Sequence, residues 1–264
     1  MDGIEAITLD FGNTLVPFPA APMANVVRLT AERAIDLLGC SAGEFERVWG
    51  EERLRQFAED VPEGREADMD VRVVRIVARL RGRSAPPPGA RWDDAALGAY
   101  CEPLEVATIL GTYAEAFVRN TPVPPAIGPM LGRLAGRYKL AILSNWPLAL
   151  AVERFVDRAG WGRHLTAVVV SHRVGFIKPR PEIFRIAAAE LGVTSGPLIL
   201  HVGDDLGADV VGAQNVGWRA AWVRLKPEDS PLPVGLPAPD AKPDMVIDSV
   251  VDLEPLLGLP VGRS

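Results

Sequence analysis

Acidic residues close two apolar runs near opposite ends of the chain: IEAITLD (4–10) ends in Asp10, and PLILHVGDD (197–205) ends in Asp204 and Asp205. KLAILSN (139–145) ends in Ser144 and Asn145, and Lys178 lies shortly after TAVVVS (166–171). Carboxylates that converge repel one another unless a cation neutralises them, and hard oxygen donors favour Mg²⁺. An ammonium and a hydroxyl beside that metal would hold an anionic group. These side chains can build a magnesium-and-phosphate site around Asp10 if the fold brings them to one edge.

For that to happen, the runs must be neighbouring strands. Together with RAAWV (219–223) and DMVID (244–248), they are near-continuously apolar, as strands buried on both faces of a parallel sheet are. Helical periodicity separates them at 147–160, 181–192 and 207–217. Leu148, Val152, Phe155 and Val156 share one face of the first segment; Ile183, Phe184, Ala187 and Leu191 share one face of the second. Gly160, Gly192 and Gly217 stand where helix C-caps belong. The alternation predicts an α/β class, a Rossmann-like doubly wound parallel sheet with right-handed crossovers. Ligands of such sheets bind outside the carboxyl ends of the strands, where all six candidate side chains are expected.

Residues 20–120 break the rhythm with amphipathic patterns at 23–39, 42–58, 67–82 and 105–119, interrupted by PPPG (86–89) as a loop. This predicts an inserted, mostly helical cap domain over 20–120, with a core of 1–19 and 121–264. VPFPAAP (16–22) and NTPVPP (120–125) would be semi-rigid linkers. The 226–243 stretch, with six prolines and little periodicity, reads as an irregular surface loop, and no internal repeat is evident.

With 264 residues, 48% hydrophobic and 23% charged, the chain has the profile of a soluble globular protein of one or two domains. No apolar run approaches the roughly 18 residues of a membrane span, and the N-terminus carries no export-signal pattern. Cys40 and Cys101 lie far apart without metal-ligand spacing, which favours a reduced, cytoplasmic protein. A net charge of −6 leaves no electrostatic footprint for nucleic acid. Only four lysines occur, none before Lys139. Most arginines of 20–120 read as solvated, although some could clamp a substrate anion.

LDFGNTL (9–15), LSN (143–145), the Lys of GFIKPRPEIF (175–184) and HVGDDLGADVVGAQNVGW (201–218) resemble, in order, the four motifs of the haloacid-dehalogenase-like (HAD) hydrolases. The resemblance covers the core and leaves 20–120 as the cap that this family commonly inserts after the first motif. It implies Mg²⁺-dependent phosphoryl transfer through an aspartyl-phosphate, with a small phosphorylated molecule as substrate. Asp10 would be the nucleophile, and Lys178 would offset charge on the phosphoryl oxygens. Ser144, Asn145 and Thr14 would hold or steady the phosphate. Asp10, the Gly12 carbonyl and Asp204 would ligate Mg²⁺, with Asp205 or Asp209 ligating directly or through water. Gly12 and Asn13 would form a tight turn requiring positive φ.

One departure matters. The phosphatases of this family usually carry a second Asp two residues after the nucleophile, to protonate the leaving oxygen and activate water; here that position is Gly12. Three readings stay open: a slow or specialised phosphatase with an acid supplied by Asp60, Glu63, Glu66 or solvent; a phosphate- and metal-binding regulatory module with little turnover; and, last, a haloacid dehalogenase. The acidic fourth motif argues against the last. The lysine-free insert argues against phosphonoacetaldehyde hydrolases, which use a cap lysine as Schiff base.

Other residues read more plainly. His164, His172 and His201 show no partner pattern, and His201 reads as a satisfied core or near-site residue. Trp146 reads equally as a substrate contact or as packing; Trp49, Trp92, Trp161, Trp218 and Trp222 read as core or interface anchors. Gly207 to Gly217 would open a helix whose N-terminal dipole favours phosphate. Monomer and homodimer are both compatible with the sequence.

Overall fold

The computed structural model describes residues 3–87, 98–194, 196–233, 235 and 237–259. Its centre is one six-stranded sheet of β1 (Ala6–Leu9), β2 (Lys139–Ser144), β3 (Ala167–Val170), β4 (Ile199–Gly203), β5 (Arg219–Val223) and β6 (Met245–Ile247). The order is β3-β2-β1-β4-β5-β6, with every neighbouring pair parallel. This is the Rossmann-like α/β fold that the apolar runs predict; β1 and β4 are buried along their whole length. The strand order reverses at β1, and the crevice at such a reversal is where ligands bind. Leu9 pairs with Ile142 and Val202. Asp10 therefore sits level with Leu143 and Gly203, and Ser144 and Asp204 project one residue farther.

Between β1 and β2 lie α1 (Ala20–Leu38), α2 (Ala42–Glu59), α3 (Met69–Leu80) and α4 (Pro103–Asn120). Side chains start them: Ser41 accepts from the Glu44 amide, Asp68 from the Asp70 and Val71 amides, and Glu102 and Glu105 form a capping box. Gly39 ends α1 in the left-handed conformation. Then follow α5 (Ile127–Ala135), α6 (Ala149–Ala159), α7 (Ser171–Val174), α8 (Pro181–Leu191), α9 (Gly212–Asn215) and α10 (Leu253–Leu256).

Several elements differ from expectation. Helix α5 is additional; its buried Ile127, Met130, Leu131 and Leu134 have helical spacing, masked in the sequence by the preceding prolines. The helix expected over 207–217 is a π-helical stretch, Leu206–Val211, running into the single turn of α9. Its wider turn is closed by the Val210 amide donating to the Asp205 carbonyl at 3.3 Å. The segment expected as a linker at 16–22 is packed instead. Phe18 is 1% exposed, its ring 5.7 Å from those of Phe11 and Phe117 and 4.9 Å from Trp146. One continuous apolar cluster thus joins β1, α1 to α6 and the loop after β2, because α4 lays Phe117 between Phe18, Trp146 and Phe155. The loop over 86–89 reaches, and Trp92 lies, outside the described residues.

The candidate active site

Asp10 extends β1 by one residue, its amide donating to the Val202 carbonyl at 2.8 Å. Its Oδ1 accepts from Lys178 Nζ at 2.7 Å; the same ammonium donates to Asp209 Oδ1 at 2.6 Å and to the Leu143 carbonyl at 2.8 Å. All three Lys178 protons are thus directed, and the side chain is 2% exposed. Asn145 borders the cavity and holds the backbone of this lysine. Its Oδ1 accepts from the Lys178 amide at 2.7 Å, and its Nδ2 donates to the Lys178 carbonyl at 3.0 Å.

Asp10, Asp204 and Asp209 each present a carboxylate oxygen within 4.8 Å of the others. Asp205 does not join them. Its Oδ1 caps the following turn through the Ala208 amide at 2.8 Å, and its Oδ2 accepts from the Gly235 amide at 2.5 Å. Asp209 reaches the cluster because Gly203 has no side chain; a Cβ there would collide with the Asp209 carboxylate. His201, central in β4, accepts at Nδ1 from the Thr8 hydroxyl (2.8 Å) and lies 3.0 Å from Asp209 Oδ1 through Nε2. Burial holds its pKa below the ordinary value, so the neutral ring with Nε2–H donates to Asp209.

The electrostatics follow from burial against charge. Burial pushes Asp10 up to about 7, opposed by Lys178 and reinforced by Asp209 and Asp204. Burial raises Asp204 to about 6, reinforced by Asp209 and opposed by Lys226. Asp209 is held well below the carboxylate range, because Lys178 and His201 outweigh its burial. Lys178 is likewise held above its ordinary value by Asp10 and Asp209, against burial.

The donor set fits a hard divalent cation. Among the described residues, Asp10 Oδ2, Asp204 Oδ1 and the Gly12 carbonyl accept no hydrogen bond, whereas both Asp209 oxygens do, Oδ2 from the Asp205 amide at 2.9 Å. Three open oxygens beside a buried excess of carboxylates is the arrangement that a Mg²⁺ ion satisfies.

These residues floor a cavity of about 1290 Å³ that is also lined by Ser144, Asn145, Lys178 and Asp205, and by residues of α1 to α4. Thr14 is buried and does not line it; its hydroxyl has no partner among the described residues. Asn13, at φ 57°, is the left-handed residue of the turn, and Gly12 is not. Trp146 packs with Phe11, Phe18 and Phe117 and also borders the cavity. The 226–243 stretch is not merely surface. Its Lys226 donates to Asp204 Oδ2 at 3.1 Å, Ser230 accepts from Asn13 Nδ2 at 3.0 Å, and Leu232 packs over Gly12. No spacing in the sequence points to Lys226.

Of the acids considered as substitutes for the missing second Asp, Asp60 is paired with Arg65 at 3.1 Å and Glu63 is exposed at the cavity edge. Glu66 lines the cavity and accepts a hydrogen bond from the Ser171 hydroxyl, whose oxygen accepts from the Trp146 amide at 2.8 Å. Burial raises its carboxyl to about 7, against Ser171. His172 has a pairing that no sequence spacing announced, with Nε2 2.7 Å from Asp70 Oδ2.

The family pattern of haloacid dehalogenase-like hydrolases matches residues 4–217. The chain belongs to that family. Among curated haloacid dehalogenase-like relatives, the pyrimidine 5'-nucleotidase YjjG of Escherichia coli is 29% identical over 56% of this chain and 64% of its own length. The phosphoserine phosphatase of Thermus thermophilus is 37% identical over 50% of this chain and 51% of its own. The chain therefore spans less than two thirds of these two relatives. A glyceraldehyde 3-phosphate phosphatase of Methanopyrus kandleri is 28% identical over 84% of each chain. Among solved structures, a 2-haloacid dehalogenase from Pseudomonas syringae has a TM-score of 0.65 at 22% identity, covering 97% of this chain and 98% of its own. It shares the fold.

Proposed function

We propose that this haloacid dehalogenase-like hydrolase is a Mg²⁺-dependent phosphatase acting on a small phosphorylated metabolite, with α1 to α4 as a substrate-selecting cap over residues 20–120. The observation that carries this reading is the open Asp10 oxygen in a cavity, beside a buried lysine and two further carboxylates. Dehalogenation alone gives no reason to gather Asp204 and Asp209 around Asp10.

Asp10 Oδ2, the Gly12 carbonyl and Asp204 would hold Mg²⁺, with Asp209 bracing the set; the bound ion would offset phosphoryl charge. Lys178 fixes the Asp10 carboxylate through Oδ1, leaving Oδ2 open, while Ser144 borders the space that a phosphoryl group would enter. An Asp10 oxygen attacks phosphorus as the bond to the leaving oxygen breaks. Water then attacks the same phosphorus, releasing phosphate and returning the Asp10 carboxylate. Gly12 can donate no proton, so we assign the proton on the leaving oxygen to Glu66, the half-buried side chain of the cavity wall whose carboxyl is raised to about 7.

The test is turnover of aryl, acyl, sugar and nucleotide phosphates with and without Mg²⁺, using Asp10→Asn as the blank. Metal-dependent phosphate release that the variant lacks is the expected result. No release from any probe, or equal release by the variant, ends the reading.

A further inference from the structure

Helix α3 carries three arginines at helical spacing, Arg72, Arg75 and Arg79. The last two turn to acids of α2: Arg75 is 3.0 Å from Glu59, and Arg79 is 2.7 Å from Glu52. Arg72 is different. It is 2% exposed, yet it borders the cavity, and both of its hydrogen bonds go to neutral oxygens: Nε to Gln56 Oε1 at 2.8 Å and Nη2 to the Ala67 carbonyl at 3.1 Å. Among the described residues no carboxylate lies within ion-pairing distance of it. Its guanidinium carbon stands 5.9 Å from the ring centroids of both Trp49 and Phe57, and those rings border the same cavity.

A guanidinium has five N–H donors in a planar fork; two of Arg72's are used, and an unpaired buried charge is costly to keep. Burial, reinforced by Arg53, lowers its pKa only to about 10, because Tyr113, Glu66 and Asp68 oppose the fall. It therefore stays cationic at neutral pH, against aromatic faces. A carboxylate entering the cavity would find a two-pronged partner there, and its carbon skeleton would find apolar and aromatic walls.

We propose that Arg72 recognises a carboxylate of the substrate, so that the preferred substrates are phosphate monoesters of organic acids with an apolar or aromatic body. This rests on the phosphatase reading for the reaction, but not for the binding. The experiment compares phenyl phosphate with meta-carboxyphenyl, para-carboxyphenyl and para-(carboxymethyl)phenyl phosphate as substrates. The corresponding inert phosphonates are titrated calorimetrically in parallel. At least one carboxylated probe should be preferred over its plain counterpart by roughly 10- to 100-fold in kcat/KM and in affinity, the scale of a charge-assisted hydrogen-bonded pair. Arg72→Gln should bring that ratio close to one, and Arg72→Lys should recover only part of it. Thermal melts show whether the variants fold; if Arg72→Gln does not, the wild-type ratios and Arg72→Lys decide. Preference in affinity without turnover would retain Arg72 and sink the phosphatase reading. Turnover of phenyl phosphate with no advantage for any carboxylated probe would overturn the assignment of Arg72.

Discussion

A Cβ placed on Gly12 would lie 2.7 Å from Leu232 Cδ1 and 3.3 Å from Trp146 Cζ3. The position that lacks an acid is thus also filled, from a loop more than two hundred residues farther along the chain. Gly12→Asp alone is expected to lower the melting temperature and to gain little on an alkyl phosphate such as glycerol phosphate, because Leu232 must move first. Combining it with Leu232→Ala opens the volume. In a Glu66→Gln background, where the assigned proton donor is gone, the double variant is then expected to raise kcat on alkyl phosphates by about 10²- to 10⁴-fold, the usual yield of general acid–base help. Equal rates in single and double variants would rule out Leu232 as the obstacle.

Lys178 separates two buried carboxylates, Asp10 and Asp209. Lys178→Met leaves them facing each other, and removing one member of a buried ion pair costs about 3–5 kcal/mol. A fall in melting temperature of roughly 10 °C is expected, together with loss of turnover. Saturating Mg²⁺ should recover part of the melting temperature, since a cation again offsets the charge. Calorimetric melts with Mg²⁺ and with chelator check both points.

Asp204 and Asp205 are adjacent in sequence but differ in task. Asp204→Asn should abolish the Mg²⁺-induced rise in melting temperature, a rise of about 2.7 kcal/mol in stability at a hundredfold excess over Kd. Asp205→Ala should keep that rise and lose about 1 kcal/mol of baseline stability, because it is the cap of the Leu206–Val211 stretch. A metal response lost in Asp205→Ala and kept in Asp204→Asn would reverse the assignment.

Glu66 supplies a pH signature. Burial raises its carboxyl from 4.5 to about 7, so the acid form is the major one below that pH and is lost as pH rises through it. With saturating Mg²⁺, whose charge favours the ionised Asp10 and Asp204, kcat for an alkyl phosphate is expected to be level just on the acid side of that value and to fall on the alkaline side. Glu66→Gln should lower the plateau by about 10²-fold or more and remove that limb. An aryl phosphate, whose leaving group needs less protonation, should lose far less. Identical pH profiles for wild type and Glu66→Gln on the alkyl ester would exclude this residue as the proton donor.

The sequence by itself determined the sheet and its chemical edge. Buried parallel strands must be apolar along their length, so each of the six announced itself, and polar residues at the ends of such runs can only gather at the carboxyl edge. Asp10, Ser144, Lys178 and Asp204 were legible for that reason, as was the absence of an acid at Gly12. Tertiary structure decided what depends on contacts between distant segments. It separated Asp209 from Asp205, because a π-helical turn and the bare Cα of Gly203 carry one inward while capping and Gly235 hold the other. It also turned Asn145 onto the Lys178 backbone and brought Lys226 to Asp204 and Leu232 over Gly12 from a proline-rich loop. Arg72 was one arginine among many until its neighbours on α3 were seen paired and it was not. Periodicity reports which face of an element is buried; it does not report which buried charge has a partner, because that partner lies elsewhere in the chain.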